Sequence, residues 1–194
     1  MGVAIGVLGG VGSGKSTLAR ILASRGLIVL DADAEARAAT EQPEILEALA
    51  KRFGADVISV DGQLDRQALA ARAFADEAST ADLNAIVHPE VRRRLADRLE
   101  AAGGRAVVLD VPLLLESPLA GLVTHWVFLD APEELRERRV GGRGWAAGER
   151  ARRESLQTDL QSKRSRADHV LVNSGTIKDL ERQVDALLKG IGVT

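Results

Sequence analysis

The stretch Val3-Ala4-Ile5-Gly6-Val7-Leu8-Gly9-Gly10-Val11-Gly12-Ser13-Gly14-Lys15-Ser16-Thr17 decides how this chain is read. Its first six residues form an apolar run that does not alternate with polar residues, the pattern of a strand covered on both faces. The run ends in glycines, and Gly9 to Ser16 fits G-x-x-x-x-G-K-[ST] in the order strand, loop, helix. Glycines there let the backbone turn its N–H groups inward around phosphate oxygens, and the helix that follows adds the positive end of its dipole. The reading therefore assigns a polyphosphate to Gly10, Val11, Gly12, Ser13, Gly14, Lys15, Ser16 and Thr17. Lys15 reaches the outer phosphates and the Ser16 hydroxyl is the Mg²⁺ ligand.

Working outward, further short apolar runs recur: Leu27–Leu30, Ala106–Leu109, Trp126–Leu129 and Val170–Val172. Helical stretches rich in Ala, Leu, Arg and Glu separate them, which is the β-α-β signature of a parallel sheet. The expected fold class is α/β, a P-loop NTPase fold with a five-stranded parallel sheet flanked by helices. The last helix is the clearest, with Ile177, Leu180, Val184, Leu187, Leu188 and Ile191 on one face and Thr176 with Asp179 resembling a capping box.

Two segments break the alternation. About 70 residues separate the second and third runs, too many for a loop, and helical patterns near Ile45–Phe53, Gln67–Phe74 and Val91–Leu99 make them a helical insertion. Pro89 is expected in the first turn of the third helix, where proline is tolerated. The second break is a basic segment whose Gly141, Gly142, Gly144 and Gly148 suggest a mobile helical flap. From Glu133 to Arg166 it holds ten Lys/Arg against six Asp/Glu, a local net of +4 suited to an anionic ligand.

Composition limits the alternatives. The chain has 194 residues, 45% hydrophobic and 28% charged, which is globular and not disordered. Zero cysteines exclude disulfides and thiolate metal sites, and no apolar run approaches the roughly 20 residues that cross a bilayer. Met1–Leu8 lacks the basic flank and cleavage site of a leader, so a cytoplasmic protein without a membrane role is expected. Two Trp, three Phe and no Tyr, with a net charge of -2, leave little for nucleic acid to stack on. The strings N-K-x-D and D-x-x-G of GTPases and the L-S-G-G-Q of ABC-type ATPases do not occur. Small-molecule kinases and nucleotide-sensing modules without turnover remain.

At the end of the second run stands Asp31-Ala32-Asp33. In open parallel sheets the strand C-termini meet the ligand crevice. Asp31 is expected to cap the following helix; for Asp33 a capping role and a base that faces an acceptor hydroxyl both stand open at this point. Phosphoryl-transfer transition states are loose, so positioning and charge neutralisation outrank proton removal.

With these residues in view, the chain resembles the dephospho-CoA kinase family. The resemblance runs through the phosphate loop, Asp31-Ala32-Asp33 with Arg37, Leu83-Asn84-Ala85-Ile86-Val87-His88-Pro89, Val111-Pro112-Leu113-Leu114-Leu115-Glu116, Arg153 and Gln157, and Ala167-Asp168-His169-Val170 followed by Asn173-Ser174-Gly175. It implies a nucleotide core of residues 1–34, 105–135 and 167–194, a helical substrate domain of 35–104 and a lid of 136–166. It implies transfer of the ATP γ-phosphoryl to the ribose 3′-hydroxyl of dephospho-CoA, with Mg²⁺, by a monomer or weak homo-oligomer. Asp33 is then the base, Arg37, His88, Pro112, Leu113, Leu114 and Arg153 meet the substrate, and Asn173 and Gly175 face adenine. For His88 a structural hydrogen-bonding role stands equally open. The flap reads Arg143-Gly144-Trp145 where the family usually has Arg-Asp, which leaves Arg139, Arg143 and Arg153 as candidate lid arginines.

Overall fold

Strand β1 (Ala4–Leu8) is buried along its whole length, as an apolar run without alternation requires. The computed structural model describes residues 2–111, 114–141, 152, 154 and 158–193. Helix α1 (Lys15–Ser24) follows the glycine loop, then β2 (Ile28–Asp31), α2 (Ala32–Ala39), α3 (Pro43–Phe53), α4 (Arg66–Ala73) and α5 (Glu77–Ala101). The chain returns through β3 (Val107–Asp110), β4 (His125–Asp130), α6 (Glu133–Gly141), α7 (Leu160–Arg166), β5 (His169–Val172) and α8 (Ile177–Gly190). It divides into two compact units, one of Met1–Leu30 with Ala102–Thr194 and one of Asp31–Ala101.

In the first unit the strands lie in the order β2-β3-β1-β4-β5. Strand β1 pairs in parallel with β3 and β4, and β4 pairs in parallel with β5. The glycine loop therefore leaves the middle of the sheet. Gly6 lies opposite Trp126, and a Cβ on Gly6 would meet the indole ring at 2.8 Å. The core runs from Ile5, Val7, Val108, Val127 and Leu129 on the strands to Leu18 and Leu22 of α1 and Leu180 and Val184 of α8.

The expected capping box is present: the Thr176 hydroxyl accepts from the Asp179 N–H, and the Asp179 carboxylate accepts from the Thr176 N–H at 2.8 Å. The Thr176 hydroxyl is the main cause that holds the Asp179 carboxyl down at about 2. Two expectations for this region need correction. Ile177 does not share the buried face of α8; it is exposed in the first turn, and burial begins at Leu180. Strand β5 is not covered on both faces either. Leu171 is buried while Val170 and Val172 are exposed, as an edge strand with one solvent face allows.

The helical unit is built from α2 to α5 around Leu49, Val57, Ala73, Val87, Val91 and Leu95. Pro89 is not in a first turn but inside α5, which runs unbroken over 25 residues. An interior proline removes one helical hydrogen bond, at roughly 3 kcal/mol. The packing of α5 against α2, α3 and α4, with Val87 and Val91 buried on either side of the proline, outweighs that cost.

Glu35 of α2 is 4% exposed, and its carboxylate accepts from Arg94 Nε at 2.9 Å and from Arg98 Nη1. Burial pushes its pKa upward, but the Arg98 and Arg94 hydrogen bonds overcome that and hold it below the usual carboxylate value. A carboxylate depressed in the folded state contributes stability above its unfolded pKa and loses it as the pH falls through the folded value. Glu35→Ala is therefore expected to lower unfolding free energy by about 2 kcal/mol at pH 7, by denaturant titration. The gap between variant and parent should close as the pH drops below about 4.

Candidate phosphate site

The backbone of the loop makes the site. Gly12 and Gly14 have φ of 81° and 100°, in the left-handed region where a side chain is strained. A Cβ at Gly12 would also lie 2.7 Å from the Arg136 carbonyl oxygen, and one at Gly14 would strike the Asn173 amide. The loop closes on itself through Ser13 N–H to Gly10 O (3.1 Å), and α1 starts with Thr17 and Leu18 N–H on Gly14 O. Lys15 Nζ lies 3.1 Å from Gly9 O and 3.3 Å from Gly10 O, curled over the loop it belongs to. Lys15 is half-buried and Ser16 exposed.

Neighbouring elements hold the loop from outside. The Ser13 carbonyl accepts from Asn173 Nδ2 at 2.7 Å and from Arg139 Nη1 at 3.2 Å, while Arg139 Nη2 donates to Asn173 O at 3.0 Å. Asn173 follows β5, and its own N–H donates to Asp130 O at the end of β4. Arg139 comes from α6. The Ser13 hydroxyl is buried with no hydrogen-bond partner among the described residues.

Asn173 is thus brought to the loop, but as its brace: its side chain is buried beneath the Ser13 carbonyl. Gly175 lies where a Cβ would meet Asp179 Oδ2 at 2.6 Å, so its lack of a side chain makes room for the capping box of α8. Asp168, from the same sequence block, accepts from Trp126 N–H at 2.7 Å and donates its own N–H back to Trp126 O, tying the start of β5 to β4.

Asp33 and Arg37 of α2 belong to the helical unit. With Thr40, Leu69, Asn84 and His88 they help to line a cavity of about 380 Å³. Asp31 caps α2, its Oδ1 accepting from Ala34 N–H at 3.0 Å, which leaves the Asp33 carboxylate outside that cap. His88 is held below its ordinary pKa by burial and by the Arg92 charge, so its ring is neutral at physiological pH. Leu114 is buried in a short 3₁₀ turn of the sheet unit. Pro112, Leu113, Arg143 and Arg153 lie outside the described residues, as do the other residues of 142–151 and 155–157 in the expected flap.

Three residues escaped the sequence reading. Asp110 ends β3, the strand beside β1, directly after Leu109 opposite Gly6. The signal was present as Val107-Val108-Leu109-Asp110, an apolar run closing on a carboxylate. Arg136 is 7% exposed and lies against the loop, with Nη1 2.7 Å from where a Gly10 Cβ would stand. Glu154 accepts from Val11 N–H at 2.9 Å and from Arg136 at 2.5 Å. No local pattern marks Glu154, since its loop contact lies 143 residues away in sequence.

No group of three or more His, Cys, Asp or Glu side chains among the described residues could cage a metal. Mg²⁺ keeps water and substrate phosphates as ligands and takes only one or two protein oxygens. The Ser16 hydroxyl and the Asp110 carboxylate are hard oxygen donors of the right kind.

The dephospho-CoA kinase family model matches residues 3–179. A dephospho-CoA kinase of Deinococcus radiodurans is 48% identical, over 98% of this chain and 93% of that protein. Among solved structures, a Thermus thermophilus protein is 41% identical with a TM-score of 0.82, covering 98% of both chains. The dephospho-CoA kinase of Campylobacter jejuni shares the fold at a TM-score of 0.71 and 22% identity, over 97% of this chain and 96% of that one.

The shared Ser13 carbonyl gives a sharp expectation. Asn173→Ala or Arg139→Ala alone leaves that buried oxygen one donor, whereas the double variant leaves it neither. The double variant should lose about 1 kcal/mol more stability than the two single losses added together, measured by a chemical-denaturation cycle.

Proposed function

The chain belongs to the dephospho-CoA kinase family, and from that premise we propose that it transfers the γ-phosphoryl of ATP to the ribose 3′-hydroxyl of dephospho-CoA. The observation that carries this reading is the glycine loop that follows β1, with Gly12 and Gly14 in the left-handed region, in a chain that the family model matches over residues 3–179. The product would be coenzyme A, so the reaction is the last step of its synthesis.

The roles follow from charge and reach. Main-chain N–H groups of Gly12, Gly14, Lys15 and Ser16 and the N-terminus of α1 hold the polyphosphate. Lys15 leaves the loop carbonyls and follows the charge that develops on the γ-phosphoryl oxygens. Ser16 and Asp110 would hold Mg²⁺, which when bound neutralises charge on the β- and γ-oxygens. Arg139 is a described lid-segment arginine hydrogen-bonded to this loop, with Arg143 and Arg153 as further candidates from the resemblance.

Asp33 accepts the proton of the acceptor hydroxyl. Support comes from its place two residues past β2, from its freedom from the cap that engages Asp31, and from its share in the cavity with Arg37 and His88. Arg37 suits a substrate phosphate, and neutral His88 suits a hydrogen bond to an uncharged part of the substrate. Pro112, Leu113 and Leu114 shape the acceptor side, and Asn173 and Gly175 the adenine side, by resemblance. Cytoplasmic operation as a monomer or weak homo-oligomer belongs to the same reading. No helix among the described residues is long and apolar enough to cross a membrane.

Incubation with Mg-ATP and dephospho-CoA, AMP or shikimate in parallel tests the assignment; coenzyme A is the only phosphorylated product expected, identified by mass. Lys15→Ala should abolish turnover while shifting the melting temperature little. Asp33→Asn should retain ATP binding and lose on the order of 10²-fold or more in kcat; near-normal kcat would reduce Asp33 to a spectator.

A further inference from the structure

The amide that opens the phosphate loop already has an anion on it. Val11 N–H donates to Glu154 Oε1 at 2.9 Å, and the same oxygen accepts from Arg136 Nη1 at 2.5 Å. Both partners are withdrawn from water, with side-chain exposures of 8% for Arg136 and 19% for Glu154. A Cβ on Gly10 would sit 2.7 Å from the guanidinium and 2.8 Å from the carboxylate, so the pair reaches the loop only because residue 10 has no side chain. An ordinary surface ion pair has neither the burial nor the loop amide.

We propose that Glu154 is an intramolecular stand-in for a phosphate group: it occupies the Val11 amide and Arg136 until a polyphosphate displaces it, whereupon Arg136 becomes a phosphate ligand. The inference rests on the kinase reading only for the identity of the displacing anion. Charge decides why Glu154 cannot stay. Like charges brought together in a partly buried site repel strongly, and the incoming tail carries several. Arg136 faces the opposite balance, since removing Glu154 would leave a buried cation unpaired unless another anion takes its place. The exchange keeps one anion on Arg136 throughout.

Such a stand-in lowers apparent affinity by the fraction of molecules in which it is disengaged. If it is engaged in about nine molecules of ten, the penalty is about tenfold. Glu154→Gln keeps the shape and the acceptor oxygen but removes the charge that competes.

Calorimetric titration of the full chain with inorganic tripolyphosphate, and separately with adenosine, tests this. Glu154→Gln should bind tripolyphosphate about tenfold more tightly than the parent, with adenosine affinity unchanged and a cooperative melt retained. Unchanged or weaker tripolyphosphate binding by the folded variant overturns the proposal, because a permanent brace of the loop behaves that way. If Glu154→Gln does not fold, Glu154→Asp carries the test: its shorter arm should tighten binding by a smaller factor, and no tightening overturns the proposal. Coenzyme A formation by the parent protein is read separately. A parent that makes none while Glu154→Gln binds tripolyphosphate more tightly removes the kinase reading and leaves the stand-in intact.

Discussion

One buried oxygen, the Ser13 carbonyl, fixes the phosphate loop. A backbone that turns its N–H groups inward must turn carbonyls outward, and a buried carbonyl without donors costs about 1–3 kcal/mol. Here Asn173 and Arg139 supply those donors from the end of β5 and from α6. The loop's shape therefore depends on a strand and a helix more than 120 residues away in sequence. Gly12 and Gly14 make the turn sterically possible; the brace makes it a single conformation.

The sheet order explains why those donors arrive at the right place. With β1 central and β4 and β5 stacked beside it in parallel, all three strands end on the same side. Asp130 at the end of β4 accepts from Asn173 just past β5, Asn173 reaches the loop that follows β1, and Arg136 of α6 lies against the same loop. Asp110 joins them from β3 on the other flank. Parallel pairing does what no local sequence feature could, converting four separate strand ends into one cluster of donors and acceptors.

Much of this was legible in the sequence because it is local. Strand runs, the glycine loop, the Thr176–Asp179 cap and the Asp31 cap each depend on residues within a few positions of one another. The misreadings share the opposite property. Whether Val170 and Val172 are covered depends on β5 being an edge strand, which the run of three apolar residues does not encode. The helix through Pro89 holds because α2, α3 and α4 pack along it, and the exposure of Ile177 at the start of α8 is set by tertiary packing rather than by the helical period. That the Asn173 side chain also braces the Ser13 carbonyl is a tertiary contact that no local pattern encodes. Glu154 was invisible for the same reason, a carboxylate in a basic segment whose partners are set by the fold.

The two arginines of α6 near the loop differ in what they hold, and that difference shapes the field that an incoming anion meets. Arg139 directs its donors to carbonyl oxygens, which satisfy its hydrogen bonds but leave its charge uncompensated by those partners. Arg136 meets a carboxylate, so its charge is balanced locally. The first contributes a constant positive potential at the loop, and the second contributes one only when Glu154 departs. A chain with net charge -2 can thus present a cationic cradle to polyphosphate while the buried one of the two arginines stays paired until the anion arrives. Neutral carbonyls make Arg139 part of the scaffold, and an exchangeable carboxylate makes Arg136 part of the response.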